Sequence, residues 1–357
     1  MRLILLAFIA SLATACGVVP GLSGAGARPA APRTELLIDN LKIPMSLAFA
    51  PDGRLFFNEV YEGRVRLFRG GQLQEAPWAE LEVARGPETG LLGLAVDPQF
   101  STNRYIYLYY SEPDPNRRNN VPLRNRVIRM TDRDGRGEDL TVILDDLPIS
   151  RTGRHSGGRI TFGPDGMLYV GVGNAESSRL GQELGSLGGK ILRVRPDGTI
   201  PVDNPFPESP VYALGFRNPF GLAFHPMTGQ LYANENSGKG HDEVNQITPG
   251  GNYGNPVVEG RGDDPRFVNP IWESGEPSAG PTGLAFYSGS MFPELANDLL
   301  FCGVHVGTLQ RFRLAGERLD EVVSIEDIAE DCRLDVVVGP DAAIYYASIN
   351  RIFRYVR

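Results

Sequence analysis

The stretch Ile160-Thr161-Phe162-Gly163-Pro164-Asp165-Gly166-Met167-Leu168-Tyr169-Val170 reads as strand, turn, strand. Apolar residues flank a Pro-Asp-Gly turn whose glycine permits positive φ. The unit recurs. Leu47-Ala48-Phe49 precedes Pro51-Asp52-Gly53, and Leu94-Ala95-Val96 precedes Asp97-Pro98-Gln99. Leu222-Ala223-Phe224 leads into Pro226-Met227-Thr228-Gly229, and Leu284-Ala285-Phe286 into Ser288-Gly289. Val336-Val337-Val338 leads into Pro340-Asp341-Ala342, which completes six copies spaced roughly 47 to 66 residues apart. Most are followed by a short alternating run such as Arg64-Val65-Arg66-Leu67-Phe68, Lys190-Ile191-Leu192-Arg193-Val194 or Arg351-Ile352-Phe353-Arg354-Tyr355. Such alternation marks half-buried strands. Periods near 50 with about four strands each indicate propeller blades. The chain is therefore predicted to be all-β, a six-bladed β-propeller over residues 34–357. Glu35-Leu36-Leu37-Ile38 is expected to give the last blade its outer strand and close the ring.

Composition agrees with one ring rather than two domains. The 357 residues include 43 Gly and 28 Pro, as a fold with many turns requires. A net charge of −8 and the lack of a basic patch interleaved with aromatics exclude nucleic acid as the expected partner. The basic run from Arg117 to Arg129 is broken by Asn119, Asn120 and Pro122 and reads as a solvated loop.

Residues 1–15 have the pattern of a secretory signal. Met1-Arg2 is the positive start, Leu3 to Leu12 the apolar stretch, and Ala13-Thr14-Ala15 the small residues before Cys16. A cysteine at that point suggests lipidation at Cys16, and residues 16–33, rich in Gly, Ala and Pro, would be a flexible tether. The expectation is export to the periplasm or cell envelope, with the membrane touched only through the lipid. In an oxidising compartment Cys302 and Cys332 could pair; two buried free thiols are the alternative.

His155, in Arg154-His155-Ser156-Gly157-Gly158-Arg159, sits on a loop at the start of the third repeat. Loops held by a rigid scaffold are where chemistry tends to sit. A histidine tied to backbone for loop shape is the plainer alternative.

Several segments together resemble the glucose/sorbosone dehydrogenase family. They are Gly90-Leu91-Leu92-Gly93-Leu94-Ala95-Val96, His155 to Arg159, Gly189-Lys190-Ile191-Leu192-Arg193, Gly215-Phe216-Arg217-Asn218-Pro219-Phe220-Gly221-Leu222, Asn234-Glu235 through Asp242-Glu243-Val244-Asn245, and Gly250-Gly251-Asn252-Tyr253-Gly254. The resemblance runs from about Leu41 to Arg357. It implies a six-bladed quinoprotein that uses pyrroloquinoline quinone and Ca2+ to oxidise an aldose at C1 and passes electrons to an external acceptor. By resemblance His155 is the general base, a task suited to a side chain with near-neutral pKa. Arg217 would be catalytic as the fixed cation beside the quinone carbonyl, where charge develops; an inter-blade salt bridge is its plainer role. Glu88, Arg159, Arg217, Asn218 and Arg333 are the implied cofactor contacts. Ser237 and Gly238 match the carbonyl ligands of the cofactor's calcium, and Glu243 with the carbonyl of Tyr253 a second, structural calcium. Asp242 could join this loop's chemistry or only brace it.

The chain departs from the family pattern at several places. Glu88 stands where the family has glutamine, and Val306 where a lysine is expected. Cys332 and Leu334 stand at two arginine positions flanking Arg333. Asn174 replaces an acidic residue after Gly171-Val172-Gly173. The quinone's carboxylates would thus meet fewer cations unless Arg154, Arg333 or Lys239 takes over. A non-catalytic carbohydrate- or ligand-binding propeller lipoprotein is the alternative reading. A calcium-dependent lactonase is a weaker third, because such sites need carboxylates at the central channel.

Overall fold

A computed structural model describes residues 30–238 and 240–357. The predicted signal segment, Cys16, most of the predicted tether and Lys239 lie outside the described residues. The described chain is almost wholly strand, with one four-residue helix at Phe100–Asn103 and two short 3-10 turns. Among the described residues no helix is long and apolar enough to cross a membrane.

Six antiparallel sheets form six blades. Their inner strands are Pro44–Phe49, Leu91–Val96, Ile160–Phe162, Pro219–Phe224, Pro281–Phe286 and Asp335–Val338, the six repeats of the sequence. Each inner strand packs against the next, and the sixth packs against the first, so the ring closes. The second strands are buried on both faces, as in Leu55–Glu59, Leu168–Val172 and Leu299–Gly303. Burial on both faces explains their near-continuous apolar runs. The tight turns behave as the sequence requires. Gly53 and Gly166 take φ of +83° and +74°, and each donates its N–H three residues back, to Ala50 and Gly163. Blade 1 departs from the four-strand pattern, because Gln72–Leu73 and Ala79–Glu80 both pair with Arg64–Arg69.

All six inner strands run in the same sense, from what we call the mouth face to the far face. Their starts and the loops leading into them line a cavity on the mouth face. Their ends, including Phe49, Val96, Phe162, Phe224, Phe286 and Val338, line a funnel on the far face. The sixth sheet is completed by the N-terminal strand Arg33–Ile38, paired antiparallel to Ile352–Val356 with Arg33 opposite Val356. The closing strand therefore begins at the far face and rises towards the mouth.

Cys302, on the second strand of blade 5, is bonded to Cys332, just before blade 6, with a Cα separation of 5.3 Å. Both are fully buried. A cross-link closing a loop of this size stabilises the fold by about 3 to 4 kcal/mol in the chain-entropy account.

Candidate active site

The mouth face carries the loops before the inner strands and the hairpins between second and third strands. Together they enclose a cavity of about 290 Å³ lined by Tyr61, Glu88, Thr89, Arg217, Asn218, Phe220, Asn236, Ser237, Asp242, Thr282 and Val304, among others.

His155 stands beside this cavity, bonded to one of its walls. Its backbone has φ of +55°, a conformation that a non-glycine residue holds only when its surroundings impose it. Two bonds impose it. The His155 N–H donates to Glu88 Oε2 at 2.7 Å, and its carbonyl accepts from Ala175 N at 3.1 Å. The ring nitrogen Nδ1 lies 2.8 Å from Asn174 Oδ1. Glu88 Oε2 also accepts from Asn218 Nδ2 at 3.0 Å, and Asn218 Oδ1 accepts from Gly157 N at 2.9 Å. One carboxylate thus ties the loops entering blades 2, 3 and 4 into a single frame.

Arg217 belongs to the same frame, since its carbonyl accepts from Asn174 N at 2.8 Å. One residue therefore touches both His155 and Arg217. The Arg217 guanidinium donates to Asn236 O at 2.8 Å and pairs with no carboxylate among the described residues. The backbone N–H groups of Arg217 and Asn218 both point at Glu235 Oε1, with the Asn218 contact at 3.1 Å. Sequence reasoning missed Glu235 as an anchor, although it ends a strand within a family segment. Its carboxyl is fully buried, and burial and then the charge of Glu243 raise its pKa well above the usual range. Glu243 lies opposite it in the strand ladder and is pushed up to about 7, chiefly by burial. Asn245 donates to Glu243 Oε2 at 2.9 Å, while its own Oδ1 is buried without a partner.

In the loop after Glu235, Asp242 is buried and braces. Its Oδ1 accepts from Ser237 N at 3.0 Å, and its Oδ2 accepts from Ser278 Oγ at 2.6 Å and Gly280 N at 2.9 Å. Ser237 lines the cavity, and Gly238 follows it beside Glu259. The side chain of Tyr253 is anchored separately: its hydroxyl donates to Gln246 O at 2.7 Å and its ring stacks on Phe216. Among the described residues no three His, Cys, Asp or Glu side chains converge as a metal centre.

Two expected cofactor contacts lie outside the cavity wall. Arg159 is buried in the channel, where Nη1 is 2.9 Å from both Asp335 Oδ2 and Ser46 Oγ. That ion pair bridges blades 1, 3 and 6. Arg333 sits at the rim, held by Asp331 and donating to the carbonyl of Val304, which does line the cavity. The positions where cations are missing serve packing. Val306 packs against the core between blades 4 and 5, Leu334 is buried, and Cys332 is in the disulfide.

The profile of the family described as Glucose / Sorbosone dehydrogenase matches residues 41–352. The chain belongs to this family. Among its relatives it is 29% identical to an aldose sugar dehydrogenase of Escherichia coli over 89% of this chain and 90% of that one. It is similar to the crystal structure of a putative glucose dehydrogenase of Thermus thermophilus, with 41% identity, a TM-score of 0.82, and coverage of 91% and 100% of the two chains. It is also similar to an aldose sugar dehydrogenase of Streptomyces coelicolor in its PQQ-bound form, with 28% identity, a TM-score of 0.78, and coverage of 92% and 99%. This glucose/sorbosone dehydrogenase fold, and an oxidoreductase acting on sugars, are what these relatives share with the chain.

Proposed function

We propose that this chain is an exported sugar dehydrogenase that oxidises an aldose at C1 with pyrroloquinoline quinone and calcium. The observation that carries the reading is the cavity itself, where Arg217 offers a cation with no carboxylate partner among the described residues and Asn174 ties it to His155. A relative in PQQ-bound form supports the choice of cofactor.

The residues fit such a group on three counts. Arg217 can meet an anionic edge of a flat ligand, and charge-assisted contacts of this kind are strong. Ser237 lines the cavity and Gly238 follows it, so this loop would offer backbone oxygens, the hard donors calcium prefers. The buried carboxyls Glu235 and Glu243, with the orphaned Asn245 Oδ1 beside them, make a pocket of oxygens whose charge a divalent cation would offset. When bound, the quinone would supply the two-electron acceptor that loss of hydride from the sugar carbon demands.

The chain's own groups do the rest. Oxidation at C1 removes a hydride from carbon and a proton from its hydroxyl, leaving a lactone carbonyl. His155 would take that proton, and Arg217 would stabilise negative charge developing in the cavity. External electron carriers would reoxidise the protein. The leader pattern ending at Cys16 and the Cys302–Cys332 bond support export and lipid anchoring in the periplasm or cell envelope.

A second reading, a sugar-binding propeller without turnover, is favoured by Glu88 and Asp242, two carboxylates set against one arginine in the cavity. Titrating metal-free protein with pyrroloquinoline quinone plus calcium, followed by cofactor absorbance and then by aldose turnover, separates them. Saturable binding with turnover supports the dehydrogenase. No binding well above micromolar cofactor leaves the second reading.

Calcium has a further expected effect on stability. Thermal unfolding should shift upward on adding calcium, by the equivalent of about 2.7 kcal/mol at a hundredfold excess over Kd. Glu243→Gln should stabilise the metal-free protein, because it removes a carboxyl whose charged form burial disfavours, and should remove the calcium response. A calcium response undiminished in Glu243→Gln would place the ion elsewhere.

A further inference from the structure

We infer that Asn174 is the positioning residue that fixes the tautomer of His155, placing the ring proton on Nδ1 and the basic lone pair on Nε2. The inference rests on the proposed dehydrogenase reading for its catalytic meaning, but its structural content stands apart from turnover.

The tautomer of a histidine is set by what its other nitrogen meets. Here that partner is Asn174 Oδ1, 2.8 Å from Nδ1. An asparagine amide could in principle present either end. In this protein the choice is made by two further bonds. The same Oδ1 also accepts the Glu176 N–H at 3.1 Å, a bond only an oxygen can make. The other end, Nδ2, donates to Asn255 Oδ1 at 3.4 Å. The oxygen therefore faces His155, and Nδ1 must be the donor. Asn174 is only 3% exposed, so water is poorly placed to replace it. Its backbone is held as well, by the bond from its N–H to Arg217 O.

The loop that carries the ring is fixed. Glu88 and Ala175 hold the His155 backbone from both sides. A neutral amide at Nδ1 orients the imidazole without adding the negative charge that would favour imidazolium. The charged groups around it are Glu88, bonded to its backbone N–H, Glu176 on the Asn174 loop, Arg154 next in the chain, and Arg217 across Asn174. None of these touches a ring nitrogen.

The chain has four histidines, so nitrogen-15 spectra of the imidazoles are tractable, with His155 assigned through His155→Gln. At about pH 8, where a histidine is neutral, wild type should show Nε2 as the unprotonated nitrogen. Asn174→Leu, which fills similar space without an acceptor, should move the population towards Nε2–H. In turnover, Asn174→Leu should lower kcat by about 10²-fold, the scale of a lost general base, with quinone binding within threefold of wild type. Asn174→Asp keeps an acceptor, so it should retain the Nδ1–H tautomer while moving the acid limb of the kcat/KM profile to higher pH. A wild type with Nε2–H dominant overturns the inference. So does Asn174→Leu with unchanged spectra and kcat. If Asn174→Leu does not fold, an unmoved acid limb in Asn174→Asp overturns it instead. A wild type without turnover at saturating quinone and calcium counts against the dehydrogenase reading alone, because the spectra still decide the tautomer.

Discussion

Replacing His155 with alanine is expected to lower kcat for aldose oxidation by about 10² to 10⁴-fold while leaving the ring folded. The side chain is half-exposed and reaches the frame through one ring bond, to Asn174. Its backbone contacts to Glu88 and Ala175 survive truncation, although alanine is less at ease at φ of +55° than histidine. Quinone binding should therefore change little. The check is steady-state kinetics at saturating cofactor, beside a cofactor titration of the same variant. Equal loss of cofactor binding and turnover would show that His155 holds the ligand rather than moving a proton.

Arg159→Ala should produce the largest loss of stability, about 3 to 5 kcal/mol by chemical denaturation, because it strands a buried carboxylate. Asp335 is fully enclosed, its Oδ2 accepts from Leu47 N at 2.8 Å, and burial already raises its pKa despite the arginine. Without Arg159 that pKa rises further. The folded state then binds a proton that the unfolded chain, with its ordinary carboxylate near about 3.9, gives up. The deficit should be greatest at neutral pH and should shrink as pH falls towards 4. Arg159→Met combined with Asp335→Leu should recover most of the loss, since apolar replacement of a buried pair is often neutral. A single variant within about 1 kcal/mol of wild type would refute this structural role. A loss of cofactor affinity at full stability would restore the contact first expected of Arg159.

The blades were legible because a strand–turn–strand unit with a glycine or proline turn is local, and its six copies repeat one physical requirement. His155, Arg217 and Asn218 were legible as residues, because each sits in a distinctive loop segment. The bonds that join them were not. Glu88 closes the frame across 130 positions of sequence to Asn218, and Asp335 meets Arg159 across 176. No periodicity reports such pairings, since they depend on how the blades meet around the axis. Glu88 read as a cofactor contact that departs from the family's glutamine, whereas in the fold its oxygen is occupied by two N–H donors. Glu235 escaped notice because a carboxylate at a strand end reads as solvated; only the ring buries it.

The direction of the closing strand sets how the protein would stand on a membrane. Arg33 enters at the far face, opposite Val356, and the cavity with His155 opens on the other side of the ring. With Cys16 carrying lipid, as proposed, the stretch from there to Arg33 could reach at most about 60 Å by covalent geometry. The far face, where the chain from Cys16 enters, would then lie nearer the bilayer and the mouth nearer the aqueous space. Sugar would arrive without passing the lipid surface, and an electron carrier dissolved in water would meet the site more readily than one confined to the membrane.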